Sequence, residues 1–194
     1  WNMKSFTLTT SAETLTGSSG SDTFDATKNL IEADDTIKTT LTNQDSLIGG
    51  GGVDTLKVEF KEAVTVAPKT SGVENVWITL DGGNASTVNF ENTSGVSKIT
   101  NHDSDAALTL DQIQAVGTLE INTNASVTTA NYTQMASAGT NSLDLVLDAV
   151  TNPAGANTGD ILFTAEGGSN TLETINLKVD TSAISIETLN TDQI

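Results

Sequence analysis

The chain has 194 residues, no cysteine and a formal net charge of −17, from 25 acidic residues against 8 basic ones, all of them lysine. This charge makes nucleic acid an unexpected partner, and the lack of cysteine excludes disulfides and thiolate zinc sites. No apolar run approaches the ~20 residues that span a bilayer, so we expect no membrane insertion.

The first predicted elements are short strands on either side of the turn Gly17-Ser18-Ser19-Gly20-Ser21-Asp22. The same pattern returns at the tetraglycine Gly49–Gly52, followed by Val53 and Asp54. Each copy also has an acid two residues before a leucine, Glu13 in the first and Asp45 in the second, 32 positions apart. The frame acid-x-Leu-x-Gly-x-x-Gly-x-Asp-x-apolar therefore occurs twice, which indicates an internal repeat.

The residue types of these turns favour a hard cation. Glycines let successive carbonyls point into one concavity that a Cβ would obstruct, and the aspartate adds charge. Calcium takes 6–8 oxygens, so one turn supplies about half a shell. If the frames stack about 4.8 Å apart, like neighbouring strands, Asp22 and Asp54 come close enough to share an ion. The alternative is that Gly, Ser and Asp act here only as ordinary turn formers.

Short alternating segments continue along the rest of the chain and predict half-buried strands. Strands joined by small polar turns roughly every ten residues suggest a sandwich or a solenoid. We favour a parallel β-helix or β-solenoid, because 4% aromatic residues suit a thin core of Val, Ile and Leu better than a sandwich. Two short helices are predicted at 29–37 and 131–137. The predicted strands are 56–60, 64–66, 72–80, 88–90, 108–110, 119–121, 143–147, 161–163, 175–179 and 184–186.

Two further polar groups are weaker candidates. His102 lies in Asn101-His102-Asp103-Ser104-Asp105, which would form a metal or acid–base cluster if partners converged on it; the alternative is a solvated loop histidine. Glu32, Asp34 and Asp35 form an acidic run that either binds a second calcium or is a solvated face. The sequence contains no Gly-x-Ser-x-Gly nucleophile elbow, and we expect that the protein is not an enzyme.

In its first half the chain resembles surface-layer proteins of the RTX type, which form calcium-loaded parallel β-solenoids exported by type I secretion. The residues that carry the resemblance are 6–10, 13–17, 22–24, 45–56 and 72–76, and the RTX-like calcium region covers about 6–60. The resemblance implies calcium bound by Asp22 and Asp54, with carbonyl ligands from two groups of turn residues. Those carbonyl ligands are Gly17, Ser19, Gly20, Gly49, Gly50, Gly51 and Gly52. We add Glu13 and Asp45 to the metal set, because the repeated frame directs these acids toward the turns.

The expected protein is a single solenoid domain over 1–194, a fragment of a longer secreted protein, located at the bacterial cell surface. Its expected function is structural: it binds calcium and assembles into a surface lattice through calcium-bridged acidic faces, while cell-surface polysaccharide is held by another region. The alternative is a stalk or ligand-binding module of a secreted RTX adhesin. An accessory β-roll of a secreted enzyme is a distant third hypothesis, since no catalytic motif supports it.

Overall fold

The computed structural model describes residues 2–115, 117–123, 126–132, 141–148, 161–165, 174–179 and 189–191. Every regular element in these ranges is a β-strand, and all strand pairs but one are parallel. The predicted all-β class with parallel sheets is therefore confirmed. Within the same ranges, no helix has the length and apolar character needed to cross a membrane.

The parallel strands form three sheets. The eight-stranded sheet contains, in spatial order, β1 (Ser5–Thr7), β3 (Thr23–Ala26), β7 (Thr55–Phe60), β10 (Asn75–Leu80), β13 (Lys98–His102), β15 (Thr118–Asn122), β17 (Ser142–Asp148) and β19 (Thr174–Val179). The six-stranded sheet contains β8 (Thr65–Val66), β11 (Ser86–Asn89), β14 (Leu108–Ile113), β16 (Thr128–Tyr132), β18 (Ile161–Ala165) and β20 (Leu189–Thr191). The four-stranded sheet contains β2 (Thr14–Thr16), β6 (Ser46–Ile48), β9 (Lys69–Ser71) and β12 (Thr93–Ser94).

The chain visits the sheets in a fixed order. From β6 to β14 it runs through the four-, eight- and six-stranded sheets in turn and then starts again. We call one such passage a circuit. Each strand pairs with the equivalent strand of the next circuit, so that Leu56 lies opposite Val76 and Val76 opposite Ile99. This succession is compatible with a β-helix.

Alternation of side chains explains why these segments form strands around a common core. In β7, Leu56, Val58 and Phe60 are buried, whereas Lys57 is exposed and Glu59 is half-buried. Successive residues of a strand point to opposite faces, so a parallel register stacks the apolar set of one circuit on that of the next. The described core is mostly aliphatic and includes the fully buried rings of Phe24, Phe60 and Phe90.

Most predicted strands are present with small changes of boundary. The segments at 56–60, 64–66, 72–80, 88–90, 108–110, 119–121, 143–147, 161–163 and 175–179 overlap β7, β8, β10, β11, β14, β15, β17, β18 and β19. The predicted strand at 184–186 lies outside the described residues. Strands β9, β12, β13, β16 and β20 were not among the predictions.

The prediction of a helix at 29–37 is wrong. This segment is an antiparallel hairpin of β4 (Asn29–Ile31) and β5 (Ile37–Thr39). Its turn places Asp35 at φ 62°, and Asp34 accepts hydrogen bonds from both the N–H and the hydroxyl of Thr36. These local bonds favour a turn over a helix. Of the helix predicted at 131–137, the first two residues lie in β16 and the rest fall outside the described residues.

The hairpin explains the unequal spacing of the repeat. Asp22 and Asp54 occupy equivalent positions of adjacent circuits and are 32 residues apart, whereas Asp54 and Glu74, one circuit later, are only 20 apart. The first interval contains the β4–β5 hairpin and the second does not. The 32-residue interval is therefore a shorter circuit with an inserted hairpin.

Candidate cation site at the glycine turns

The two predicted frames stack in register, as expected. Leu15 pairs with Leu47 across β2 and β6, and Phe24 pairs with Leu56 across β3 and β7. Asp22 and Asp54 both lie immediately before strands of the eight-stranded sheet. A third turn, which begins at Gly72 and reaches Glu74 before β10, continues the stack.

Three glycines form the closest backbone contacts of these turns, and we call Gly17, Gly49 and Gly72 the glycine stack. The N–H of Gly17 donates to the carbonyl of Ile48 at 2.7 Å, and the N–H of Gly49 donates to that of Ser71 at 2.8 Å. A Cβ on Gly49 would overlap both the Gly72 carbonyl oxygen and Asp54 Oδ2. Glycine is required here because two oxygens already occupy the space that a side chain would need.

The acids of successive circuits are linked through the backbone. The N–H of Asp22 donates to Asp54 Oδ1 at 2.6 Å, and the N–H of Asp54 donates to Glu74 Oε2 at 2.7 Å. We call Asp22, Asp54 and Glu74 the acid ladder. Each carboxylate thus satisfies a backbone donor of the preceding circuit, and the ladder brings three acidic side chains into one row.

Asp54 is the unusual member of this row. It is fully buried, and its Oδ2 has no hydrogen-bond donor among the described residues. Burial raises the pKa of Asp54; the hydrogen bond from Asp22 N–H opposes this effect, and the negative charges of Asp22 and Glu74 reinforce it. A buried carboxylate oxygen without a partner costs free energy, so this position favours a proton or a cation.

Asp22 has the opposite electrostatic environment. Its Oδ1 accepts from the N–H of Lys4 at 2.5 Å, and its carboxylate also accepts from the N–H and hydroxyl of Ser18. Burial alone would raise the pKa of Asp22, but these hydrogen bonds and the Lys4 charge outweigh it and lower the pKa. The carboxylate of Asp22 is therefore already compensated within the chain.

A lysine ammonium lies on the carbonyl oxygens of the first glycine turn. Lys4 Nζ donates to the carbonyl oxygens of Thr16 at 3.2 Å and Gly17 at 3.1 Å. In the next circuits the corresponding carbonyls, those of Ile48 and Ser71, accept from the glycine of the circuit before. The Lys4 ammonium thus places a positive charge on the carbonyl oxygens of the first turn, beside Gly17.

Glu13 and Asp45 lie apart from the acid ladder. They precede β2 and β6, whereas the glycine turns follow these strands, about 10 Å away for a three-residue strand. Glu13 accepts from the N–H and hydroxyl of Thr9, and Asp45 accepts from Glu13 N–H at 2.9 Å and Thr42 N–H at 2.8 Å. The Glu13 carboxylate holds a local turn, whereas that of Asp45 both holds a local turn and links it to Glu13 of the preceding circuit.

The remaining predicted ligands, Ser19, Gly20 and Gly50–Gly52, pack turn against turn. Gly51 N–H donates to the Ser18 carbonyl at 2.9 Å, and a Cβ on Gly52 would overlap the backbone of Gly20. Gly50 and Gly52 have φ values of 105° and 98°, which side-chain-bearing residues rarely adopt. These contacts fix the backbone path of the turns and so keep the acids of the ladder in one row.

Sequence reasoning missed two oxygen donors, the Glu74 side chain and the Gly72 carbonyl. Their turn is three residues shorter than the earlier two, so the repeated frame does not cover it. The available signal was a glycine followed by an acid immediately before an alternating strand. In the shorter turn the longer glutamate side chain makes the ladder bond that aspartate makes elsewhere.

The donor set fits a hard cation in part. Asp54 Oδ2, the Glu74 carboxylate and the Gly72 carbonyl are the oxygens that would hold calcium, a cation that prefers oxygen ligands. Among the described residues there is no group of three or more His, Cys, Asp or Glu side chains arranged to hold a metal ion. Carbonyls and water must therefore complete the shell, which is typical of a weak site.

The weaker candidate groups lie elsewhere. His102 packs its ring against Trp77 with centroids 4.6 Å apart, and the Ser104 hydroxyl donates to Asn101 Oδ1. His102 is therefore placed against an aromatic ring on β10 rather than in an exposed loop. Glu32 forms an exposed ion pair with Lys38 at 3.5 Å.

Comparison of the chain with models of protein families, with curated proteins and with solved structures found no match.

Proposed function

We propose that the chain is a structural β-solenoid domain of an extracellular bacterial surface protein, in which calcium stiffens the glycine turns and promotes assembly into a lattice. The observation that carries this proposal is the buried, unpartnered Asp54 Oδ2 beside the Gly72 carbonyl. The order in which the chain visits its parallel sheets supports the solenoid, and the resemblance of residues 6–60 to RTX-type surface-layer proteins supports the lattice.

The proposed calcium ion belongs at the second turn rather than the first. Asp22 has hydrogen-bond donors on both carboxylate oxygens, and the Lys4 ammonium already lies on the carbonyls of Thr16 and Gly17. Asp54 has neither kind of compensation at Oδ2. A bound dication would neutralise Asp54 and Glu74 together, which offsets the burial and the charge repulsion that raise the pKa of Asp54.

Such a site is filled outside cells. Weak extracellular calcium modules have Kd values of about 10⁻⁴–10⁻³ M, and a partial protein shell is consistent with that range. The net charge of −17 keeps molecules apart in the absence of cations, since like charges repel. Calcium bridging between acidic surfaces would remove this barrier and permit a lattice.

The second candidate function is a stalk or ligand-binding module of a secreted adhesin. It is favoured by the outward position of Trp77 and the cavity beside it on the eight-stranded sheet. Both candidates use the same calcium site, but an isolated stalk domain would remain monomeric when calcium is added.

The test is thermal unfolding by circular dichroism in EGTA and in 10 mM calcium, with light scattering to follow assembly. One ion at tenfold to a hundredfold its Kd adds about 1.4–2.7 kcal/mol, which raises Tm by about 3–10 °C for a chain of this size. Asp54→Asn keeps an acceptor for Asp22 N–H and offers an amide donor to the Gly72 carbonyl. We therefore expect its Tm in EGTA to equal or exceed that of the wild type, while the calcium increment is lost.

The matched control is Asp103→Asn, which removes one acid from an exposed position away from the ladder. Asp103 has φ 48°, a conformation that asparagine also accepts, so the calcium increment should be unchanged. Equal loss in both variants would reject the site at Asp54. A calcium increment with ordered assembly supports the lattice, whereas the same increment without assembly supports the stalk.

A further inference from the structure

The outer surface of the eight-stranded sheet carries an aromatic platform that begins next to the glycine turns, since Thr55 and Asn75 directly follow Asp54 and Glu74. Trp77 lies on the outward side of β10, since its neighbours Val76 and Ile78 are buried in the core. The other aromatic side chains described, Phe6, Phe24, Phe60, Phe90 and Tyr132, belong to the core or pack against it. Trp77 thus places a large ring at the surface instead of in the core.

The ring is held in place by its neighbours. The His102 ring lies 4.6 Å from it between centroids, tilted by 41°. Thr100, which pairs with Trp77 across β10 and β13, is 3% exposed although it is a short polar residue. A partly exposed indole supported from the side and fixed on a sheet offers a rigid apolar surface, which costs little conformational entropy on binding.

A cavity of about 290 Å³ adjoins this ring. Its lining combines the indole with polar side chains from three adjacent strands. Those side chains are Thr55, Lys57, Asn75, Lys98 and Thr100, with Val76 beside them. The volume lies at the lower end of the range of small-ligand sites. Hydroxyl, amide and ammonium donors around one aromatic ring suit a ligand with an apolar face and many oxygen atoms at its edge.

The charge of the cavity is opposite to that of the chain. Two of the eight lysines, Lys57 and Lys98, line it, and none of its lining residues is acidic. Lys98 forms an ion pair with Glu120 at 2.5 Å, whereas Lys57 lies opposite Asp25 of β3 and forms no ion pair among the described residues. The ammonium group of Lys57 favours an anionic partner at this point of the sheet, in contrast to the net negative charge of the chain.

We propose that this cavity, the Trp77 cleft, binds an acidic saccharide, with a sugar ring against the Trp77 indole and a carboxylate on the side of Lys57. A pyranose has an apolar face for the indole and hydroxyls for Asn75 and the threonines, and a uronic acid adds the anionic group. The outward row continues in register from Lys98 to Thr118 and then reaches Asp144, whose carboxylate would repel a uronate, so the acidic sugar belongs at the Lys57 end of the cleft. This inference does not depend on calcium.

The test uses the full 194-residue chain with Trp1→Phe, so that Trp77 is the only tryptophan. Fluorescence is titrated with tetragalacturonate and, separately, with the neutral maltotetraose, at constant ionic strength and constant calcium. We expect a saturable change with tetragalacturonate and at least tenfold weaker binding of maltotetraose. Lys57→Gln should weaken tetragalacturonate binding about fivefold or more, and added salt should have less effect on that variant than on the parent.

Two further variants keep the result unambiguous. Trp77→Ala should reduce the affinity for tetragalacturonate at least tenfold while the circular dichroism spectrum is retained. Binding to this variant is measured by calorimetry, because the tryptophan fluorescence is lost. Lys61→Gln changes a lysine that forms ion pairs with Glu59 and Asp81 outside the cleft and should bind as the parent does. Equal binding of the neutral saccharide, no binding of tetragalacturonate, or equal weakening by Lys57→Gln and Lys61→Gln would overturn the proposal.

Discussion

At the scale of single residues, a few side chains determine whether the carboxylate of a glycine turn is fully hydrogen-bonded or keeps an unpartnered oxygen that would suit a cation. Asp22 and Asp54 occupy equivalent positions, yet the pKa of the first is lowered and that of the second is raised. The difference arises from Lys4 and Ser18, which donate to Asp22 and have no counterpart at Asp54 Oδ2. Chemically identical residues of a repeat therefore have different roles.

The tetraglycine provides a matched pair of substitutions. A Cβ at Gly49 would overlap the Gly72 carbonyl and Asp54, whereas a Cβ at Gly51 would meet its nearest neighbour, Ser19, at 3.5 Å, an ordinary contact. Gly49→Ala must separate two circuits, and overpacking of this kind costs about 1–3 kcal/mol. We expect Tm to fall by about 3–10 °C, with loss of the calcium increment.

Gly51→Ala should change Tm by less than about 2 °C, because its φ is not among the positive values and alanine reduces the freedom of the unfolded chain. Circular dichroism melts of both variants measure the difference. Similar destabilisation by the two alanines would show that the contact between Gly49 and Gly72 is not the constraint.

At the scale of elements, the β4–β5 hairpin is an insertion that the parallel sheets do not need. Its base is anchored by Thr40 Oγ1, which donates to the Lys28 carbonyl at 2.9 Å, and by Thr39 N–H, which donates to Glu62 at 3.0 Å. Its tip is exposed, with Ile31 73% accessible. The anchors are near the core, and the residues beyond them contribute little burial.

Replacing residues 31–37 by Asn-Gly tests this interpretation. Leu30 and Lys38 are cross-strand partners, and a two-residue Asn-Gly turn joins such a pair with the twist that hairpins favour. We expect Tm to change by less than about 4 °C and the calcium increment to remain. As a comparison, Leu47→Ala removes a fully buried side chain and should cost about 2–5 kcal/mol. A fall in Tm comparable to that of Leu47→Ala would show that the hairpin is part of the core.

The strands that the sequence predicts well are those whose inward positions are all apolar, such as β7 and β10. Strand β13 does not have apolar residues at all its inward positions, because Asn101 lies at one of them between Ile78 and Ile121. Its amide is buried and donates to Thr128 Oγ1 at 2.9 Å, so burial is compensated by a partner from another strand. No local sequence pattern contains that partner. The contact of Lys4 with the first turn could not be predicted for the same reason.

At the scale of the whole molecule, the balance of charge sets how stability depends on pH. A raised pKa in the folded state means that protonation of Asp54 stabilises the fold, as pH falls through that pKa toward 3.8. The lowered pKa of Asp22 has the opposite sign, and its contribution is lost only at pH below 3.8. Between the raised pKa of Asp54 and pH 3.8, the calcium-free protein therefore becomes more stable as the pH falls.

We therefore expect the Tm of the protein in calcium-free buffer to be higher near pH 4 than at pH 7.5, and the calcium increment to be larger at pH 7.5, because protons and calcium compete for Asp54. Differential scanning calorimetry at several pH values from about 4 to 7.5 measures both quantities. In Asp54→Asn the pH dependence over this range should be smaller. A calcium increment that is independent of pH in the wild type would contradict a role for this carboxylate.

The acid ladder also has a temporal consequence. Each of its bonds joins a backbone donor to an acid that follows it by 32 or 20 residues. A chain emerging amino terminus first from a ribosome exposes the donor before the acceptor. The first glycine turn cannot complete its bonds until Asp54 has emerged, and the second waits for Glu74. Compaction therefore lags behind emergence by about one circuit, and each turn stays open only until the next circuit has emerged.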